Sequence, residues 1–237
     1  MELFYNEHIT DKSESFELNR EETKHITKVL RKREGDYLDF TNGKNEKFKC
    51  KIECIKKNTS NLKIIDCFKY DSNENLHIGI SLLKSTSRIE NFLEKCIEIG
   101  IKQITPIVCE RTENKIFNKI RLTKIMVSAL KQSYRFELPI LNDPVNFKVF
   151  CKINHENKLI ATCEDFFKKE EISRKIFKKN NLIAIGPEGD FTKKEIELAI
   201  ENNFKAVSLG KNRLRAETAG MYVCMVNSLY KQYICNQ

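Results

Sequence analysis

Tryptophan is absent from this 237-residue sequence, glycine and proline are scarce at 8 and 4 residues, and no long apolar run occurs. A membrane-spanning helix needs about 18 or more consecutive apolar residues, so the sequence predicts none. The same scarcity excludes collagen-like and low-complexity chains. The first residues lack the basic stretch and apolar run of a secretory signal, and we therefore expect a cytoplasmic protein.

The nine cysteines are scattered, with no C-x-x-C pair and no histidine at metal-ligand spacing from two of them. The sequence therefore predicts free thiols and no metal site. Cys96, Cys109 and Cys163 lie among apolar residues, and we expect them, like Cys50 and Cys54, to be small buried side chains.

Charge is the main asymmetry of the composition. Lysine and arginine exceed acids by 42 to 33, and of the net +9 only +1 falls in residues 1–72, whereas +8 falls in residues 73–237. The stretch from Arg111 to Arg135 holds seven cations and one acid, Glu113. A polyanionic partner such as nucleic acid fits this excess, and so does a lysine-rich surface that only solvates helices.

Residues 1–72 predict a small β-rich domain that ends in a polar linker. The pair Asn42-Gly43 lies between two apolar runs and predicts a type I′ hairpin turn, whose central residues both need positive φ. One helix is expected from about Glu21 to Arg31, with an apolar face formed by Ile26, Val29 and Leu30.

Residues 73–237 alternate predicted strands and helices, which favours an α/β domain. The short apolar runs Leu159–Cys163 and Leu182–Ile185 are typical of parallel strands buried on both faces. Ser87 and Glu90 predict a capping box at the start of a helix that Gly100 ends.

Two loops in this second part join a strand to a helix and carry glycine. The first, Gly186-Pro187-Glu188-Gly189-Asp190, precedes a second capping box, and the second extends from Gly210 to Gly220. Ligands bind at such places in open α/β sheets, because free backbone N–H groups and helix dipoles point into the crevice. An ordinary tight turn is the alternative. Neither loop matches the dinucleotide or nucleoside triphosphate fingerprints.

Both loops resemble those of the α/β-knot (SPOUT) RNA methyltransferases, and more narrowly those of the ribosomal RNA small subunit methyltransferase E family. The resemblance rests on Gly186-Pro187-Glu188-Gly189, on Leu209-Gly210 and on Leu214-Arg215-Ala216-Glu217-Thr218-Ala219. Weaker matches around His25 to Arg31, Glu94 to Ile101 and Gln132 to Arg135 extend it over nearly the whole chain. The family's N-terminal arginine is missing, since Glu2-Leu3 precede Phe4-Tyr5 here.

The resemblance implies an α/β fold with two domains. Residues 1–72 would form a small PUA-like RNA-binding domain, and residues 73–237 a parallel-sheet methyltransferase domain with a trefoil knot. The implied reaction is methyl transfer from S-adenosylmethionine to N3 of a uridine in 16S rRNA, with the assembled small ribosomal subunit as partner.

The C-terminal helix also predicts a homodimer, because its apolar residues surround it and a helix that is apolar on two sides must bury both. The α/β-knot enzymes use this region as an interface. The apolar residues are Met221, Tyr222, Val223, Met225, Val226, Leu229, Tyr230 and Tyr233.

The resemblance also implies which residues hold the cofactor, most of them small or apolar, so that backbone groups make the contacts. They are Ile185, Gly186, Pro187, Glu188, Gly189, Leu209, Gly210, Leu214, Arg215, Glu217, Thr218 and Ala219. Arg215 is the expected stabiliser of negative charge on the uridine ring, because it lies in the cofactor loop. Glu188 and Glu217 are candidate proton acceptors or positioning groups, and a simple helix cap is the alternative for Glu217.

The expected RNA contacts are basic residues in both domains: His25, Arg31, Lys84, Arg111, Lys119, Lys124, Lys131 and Arg135. A purely structural role is the alternative for His25 and Arg31. Two other classes of function compete with the methyltransferase. One is a non-catalytic RNA-binding protein, and the other is a hydrolase or kinase that uses Gly186 to Gly189 as a phosphate cradle.

Overall fold

The computed structural model describes residues 2–72, 74–173 and 177–235, with side chains up to residue 232. It forms two compact units. The first comprises Met1–Ser72 and Leu130–Leu138, and the second comprises Asn73–Ala129 and Pro139–Gln237. Residues 130–138, which the predicted division at residue 72 assigns to the second domain, therefore pack with the first unit. No helix in the described residues is long and apolar enough to cross a membrane.

Within residues 2–72, the first unit forms a five-stranded sheet. Its spatial order is β1 (Leu3–Tyr5), β3 (Tyr37–Thr41), β4 (Glu46–Ile55), β5 (Ser60–Lys69) and β2 (Ser15–Leu18). Strands β1 and β3 are parallel, and the other neighbours are antiparallel. In β4 the side chains of Phe48, Cys50 and Ile52 are fully buried while the intervening ones are exposed. This period of two places one face of the sheet on the core.

The predicted N-terminal helix is present but irregular. Helix α1 (Arg20–Lys24) begins after Asn19, whose side chain and Glu22 form a capping box, and it continues as a π-helical turn from His25 to Val29. Ile26 is buried, but Val29 is 65% exposed, so its predicted place on the apolar face is wrong. The wider π-helical turn, in which each N–H bonds five residues back, rotates Val29 away from the sheet.

The hairpin between β3 and β4 is confirmed, but its predicted type I′ turn is wrong. Gly43 and Asn45 have φ of 76° and 60°, whereas Asn42 does not have positive φ. Asn42 is buried, and its amide donates to the Ile9 carbonyl at 3.1 Å and to Glu46 Oε2 at 2.6 Å. These bonds hold Asn42 inside the unit rather than at the centre of a turn.

The segment 130–138 is bound to this hairpin through its backbone. The Leu138 N–H donates to the Gly43 carbonyl at 2.9 Å, and the Asn45 N–H donates to the Phe136 carbonyl at 2.9 Å. The Tyr134 hydroxyl donates to the Asp39 carboxylate, which also pairs with Lys47 at 3.1 Å. A stretch distant in sequence thus completes the first unit.

The second unit is built on a parallel sheet, which confirms the predicted α/β fold. Its strands in the described residues are β6 (Leu76–Ser81), β7 (Gln103–Val108), β8 (Ile140–Leu141), β9 (Val145–Asn146), β10 (Asn157–Ala161), β11 (Glu170–Glu171), β12 (Asn181–Ile185) and β13 (Lys205–Ser208). The order is β11-β13-β10-β12-β6-β7-β8, with β9 also paired to β7. Every residue of β6 and β12 is buried, as expected for central parallel strands.

In the part of the chain that the structure describes, the α-helices after α1 are α2 (Thr86–Ile99), α3 (Lys119–Gln132), α4 (Phe147–Cys151), α5 (Lys193–Glu201) and α6 (Ala216–Cys235). The capping box of Thr192 and Glu195 at the start of α5 is confirmed. The one expected at α2 is wrong, because Ser85 is the N-cap residue and Ser87 already lies inside the helix. Gly100 ends α2 as predicted.

Helix α6 packs against α2, where Gly220 faces the ring of Phe92. A Cβ atom on Gly220 would lie 2.3 Å from Phe92 Cε2, so only glycine permits this separation of the two helices. Helix α6 begins at Ala216, directly after residues 209–215 of the second glycine-containing loop. The trefoil knot stays a prediction.

Candidate active site

A cavity of about 740 Å³ opens at the carboxyl ends of β10, β12 and β13. These strands are parallel neighbours, so the loops that follow them meet at one edge of the sheet. The cavity is lined by parts of loops 162–169, 186–190 and 209–215, and by Ala216 and Ala219 of α6. Its volume lies within the range of small-molecule sites, about 300–1,000 Å³.

The structure brings most of the expected cofactor residues to this cavity. Those that line it are Ile185, Gly186, Pro187, Glu188, Gly189, Leu209, Gly210, Leu214, Arg215 and Ala219. Glu217 and Thr218 are not among the lining residues. Ala216 and Ala219 face the cavity, and Glu217 lies about 100° further round the helix from Ala216, on the side of α2.

The loop after β10 is the part of the lining that the sequence patterns missed. Thr162, Cys163, Glu164, Asp165 and Lys169 come from this loop. The apolar run that begins at Leu159 could have indicated this loop. If its strand is parallel to Leu182–Ile185 and beside it, both strands end at the same edge of the sheet, and the loops that follow them lie together. The expectation that Cys163 is buried is wrong: β10 stops at Ala161, and Cys163 is exposed.

Asp190 ties the loop after β12 to the loop after β10. Its Oδ2 accepts from the Cys163 N–H at 2.7 Å and from Thr162 Oγ1 at 3.1 Å, and its Oδ1 accepts from the Phe191 N–H at 2.7 Å. Partial desolvation of the thiol and the nearby Asp190 carboxylate both raise the pKa of Cys163. Two walls of the cavity are therefore joined by one side chain.

Glycine is favoured at Gly186 and at Gly210, one in each predicted loop, for different physical reasons. At Gly186 a Cβ atom would lie 3.1 Å from the Phe191 ring, so packing within the loop favours glycine. At Gly210 a Cβ atom would meet nothing within 4 Å, but φ is +123°, a conformation that L residues rarely adopt. The backbone shape at Gly210, and not space within the protein, requires glycine.

Arg88 of α2, which is not among the predicted site residues, connects the two candidate carboxylates. Its Nη1 lies 3.5 Å from Glu188 Oε1, and its Nε lies 3.7 Å from Glu217 Oε1. The Lys84 N–H also donates to Glu188 Oε1 at 3.1 Å. Glu217 is 6% exposed, and its Oε2 has no hydrogen-bond partner among the described residues.

Arg215 is an exposed residue of the cavity lining. Among the described residues, no hydrogen-bond or ion-pair partner holds its guanidinium group. Its charge is therefore available to a ligand or substrate at the cavity.

Several of the expected RNA contacts in the second unit are engaged within the protein. Arg111 Nη1 donates to the Gly189 carbonyl at 2.6 Å, Lys119 Nζ lies 3.0 Å from both oxygens of Asp143, and Lys84 pairs with Glu113 at 2.8 Å. Arg111 thus supports the glycine loop itself. Lys124 is exposed.

The other expected RNA contacts belong to the first unit. His25 Nε2 lies 2.7 Å from Glu2 Oε1, so a carboxylate occupies the position next to His25. Arg31 is exposed and has φ of 55°, and Lys131 is also exposed. Arg135 is half-buried.

Comparisons with known proteins agree with this architecture. The family model of the RNA methyltransferase domain matches residues 71–228, and that of the RNA methyltransferase PUA domain matches residues 18–65. The ribosomal RNA small subunit methyltransferase E of Rickettsia conorii is 30% identical over 226 residues, covering 92% of this chain and 91% of that protein.

Two solved structures are similar over almost their whole length. A probable rRNA methyltransferase from Porphyromonas gingivalis has a TM-score of 0.90 at 30% identity and covers 100% of both chains. The ribosomal RNA small subunit methyltransferase E from Neisseria gonorrhoeae, solved bound to S-adenosylmethionine, has a TM-score of 0.81 at 27% identity and covers 94% of this chain and 95% of that one.

A parallel α/β domain with a cavity at its strand ends, joined to a PUA domain, defines this protein as an RNA methyltransferase. Within that class, the chain belongs to the ribosomal RNA small subunit methyltransferase E family. The family expected from the two glycine loops is thereby confirmed.

Proposed function

We propose that this protein transfers a methyl group from S-adenosylmethionine to N3 of a uridine in 16S rRNA. The observation that carries the proposal is the cavity itself, since two of the three loops that line it carry the family resemblance. The assembled small ribosomal subunit is the proposed partner. The cytoplasm, where bacterial ribosomes are made, is the proposed compartment.

The cavity fits S-adenosylmethionine in size and in chemistry. Leu209, Leu214 and Ala219 offer apolar surface, and the open space beside Gly210 lets a flat ring approach the backbone. These residues, with Ile185 and the backbone of Gly186, would hold the cofactor. When bound, the cofactor supplies a methyl group that is activated by a sulfonium sulfur.

Arg215 would stabilise the charge that develops on the substrate. A uridine that loses its N3 proton carries negative charge on the ring carbonyls. The Arg215 guanidinium is exposed at the cavity and has no carboxylate partner among the described residues, so it is free to bind this charge.

Glu188 is the better placed of the two candidate proton acceptors, because it lines the cavity and Glu217 does not. Its Oε1 accepts from the Lys84 N–H and from Arg88. Its Oε2 has no such donor among the described residues and is available to take the N3 proton. In this proposal Glu217 holds Arg88, and Arg88 holds Glu188.

A homodimer through α6 is part of the proposal. Tyr222, Met225 and Leu229 are 38%, 55% and 58% exposed and follow one another along one face of the helix. Val223 and Cys224 on the opposite side are fully buried, so α6 is apolar on two faces. A second copy of the chain would cover the exposed face. The side chain of Tyr233, another of the apolar residues expected around this helix, lies outside the described residues.

A methylation assay tests the function. The protein is incubated with methyl-labelled S-adenosylmethionine and with small ribosomal subunits from a bacterial strain that lacks this activity. We expect label in 3-methyluridine of 16S rRNA, and less label when naked 16S rRNA replaces the subunits. Calorimetric titration separates the competing classes. A protein that binds RNA but does not bind S-adenosylmethionine would be a non-catalytic RNA-binding protein. Binding of ATP would indicate a hydrolase or kinase.

A further inference from the structure

We propose that the mouth of the cavity binds a single-stranded segment of RNA, with Phe166 stacked on an unpaired base and with Lys211 and Arg213 on neighbouring phosphates. The inference rests on the proposed function, because it requires an RNA substrate. It adds three side chains to which neither the family resemblance nor the reaction assigns a role.

Phe166 is a large exposed aromatic side chain that directly follows residues lining the cavity. It is 70% exposed, and the residues before it, from Thr162 to Asp165, line the cavity. The next residue, Phe167, packs against the core of the second unit and fixes the direction of the loop. An exposed ring in this position gains contact area when a flat partner stacks on it.

The loop that carries Phe166 is stabilised by its own hydrogen bonds, so the loop backbone does not depend on a ligand for its position. Lys169 Nζ donates to the Cys163 carbonyl at 3.1 Å and to Asp165 Oδ1 at 2.9 Å. The Glu164 N–H donates to Thr162 Oγ1 at 3.1 Å. Preorganisation of this kind lowers the entropy lost on binding.

Positive charge lies next to the ring. Lys193 Nζ is 5.9 Å from the centroid of the Phe166 ring, and the Lys193 side chain is 64% exposed, with Glu197 Oε1 4.0 Å from Nζ. An aromatic face beside a cation is the combination by which proteins bind unpaired bases together with their phosphates. A protein partner would more often need a larger apolar patch than this single ring.

The loop 209–215, which forms the third wall of the cavity, contributes two more cations. Lys211 and Arg213 line the cavity and are exposed, and neither has a hydrogen-bond or ion-pair partner among the described residues. The basic stretch on α3 differs, because Lys119 is paired with Asp143 and Arg121 with Glu90 at 2.6 Å. Lys211 and Arg213 therefore place two cations without such a partner at the cavity mouth.

Fluorescence anisotropy with a 5′-labelled single-stranded oligouridylate, at several salt concentrations, tests the surface in the intact protein. We expect Phe166→Ala to raise the dissociation constant about 5- to 150-fold, the range for loss of one base–aromatic stack, with an unchanged salt slope. Phe166→Tyr should retain the affinity. The double variant Lys211→Ala/Arg213→Ala should reduce the salt slope by about 1.4, the value for two phosphate contacts on a single strand.

Two matched controls come from α3. Ile120→Ala removes an apolar side chain that is 74% exposed, and Arg121→Ala removes a cation that Glu90 already neutralises. Both should bind the oligouridylate as the wild type does. Wild-type affinity in Phe166→Ala, or an equal effect of Arg121→Ala and the double variant on the salt slope, would overturn the inference.

Two further measurements distinguish loss of the RNA surface from loss of the dimer and from loss of cofactor binding. Sedimentation of Phe166→Ala should be unchanged, and a loss of dimer would place the ring in a contact between chains and contradict the RNA surface. The dissociation constant of S-adenosylmethionine, measured by titration of the same variants, should also be unchanged. A wild-type protein that does not bind S-adenosylmethionine contradicts the proposed function alone, since the anisotropy of the variants still decides the RNA surface.

Discussion

Replacement of Gly210 by alanine changes the cavity through the backbone alone. No heavy atom lies within 4 Å of the new Cβ, so the substitution causes no clash inside the protein. At φ of +123° an L residue is strained by about 1–3 kcal/mol, and the loop 209–215 relieves that strain by moving. Because Leu209 and Leu214 move with it, we expect the dissociation constant of S-adenosylmethionine to rise about 5- to 150-fold.

Gly35→Ala is a matched control for this experiment. Gly35 has φ of +91° and also has nothing within 4 Å of its Cβ position, but it belongs to the first unit and does not line the cavity. Thermal unfolding should show a comparable loss of stability in both variants. Calorimetric titration should show weaker cofactor binding only in Gly210→Ala. Equal cofactor affinity in the two variants would refute the assignment of loop 209–215 to the cofactor.

Three other outcomes are expected. Arg215→Ala should lower turnover at saturating RNA by about 10²–10³ while cofactor and RNA still bind, and an intact saturating rate with a higher KM for RNA would make Arg215 a binding residue. Burial and the nearby His155 lower the pKa of His77 to about 3, so the folded protein favours the neutral ring and loses stability as the pH falls from about 6.5 towards 3. Urea unfolding between pH 7 and pH 4 should show this loss, and His77→Gln should reduce it; an equal loss in the variant would assign it to other groups. Leu229→Lys should shift sedimentation from dimer to monomer, and a dimer that survives would place the interface elsewhere.

The parts of the site that local sequence determines could be predicted. The loop Gly186–Gly189 lies between a continuous apolar strand and the capping box of Thr192 and Glu195, and each of these signals spans only a few residues. The fold class followed from the alternation of such signals. The family resemblance then identified the chemistry that the pattern alone left open.

The parts that depend on contacts distant in sequence could not be predicted. The loop 162–169 reaches the cavity only because β10 pairs in register with β12, so that Ala161 lies opposite Ile185. Arg88 and Glu188 are 100 residues apart, and no periodicity connects them. Val29 was misplaced for a different reason: a π-helical turn breaks the period of 3.6 on which the predicted apolar face depended.

The central claim, methylation of uridine N3 in 16S rRNA, is tested most directly by nucleoside mass spectrometry. The 16S rRNA is taken from cells that contain the gene and from cells in which it is deleted. The account predicts that 3-methyluridine is lost from 16S rRNA on deletion and restored by the wild-type gene, but not by the Arg215→Ala variant. Unchanged 3-methyluridine after deletion, or loss of a methyl group from another position or another nucleoside, would contradict the account.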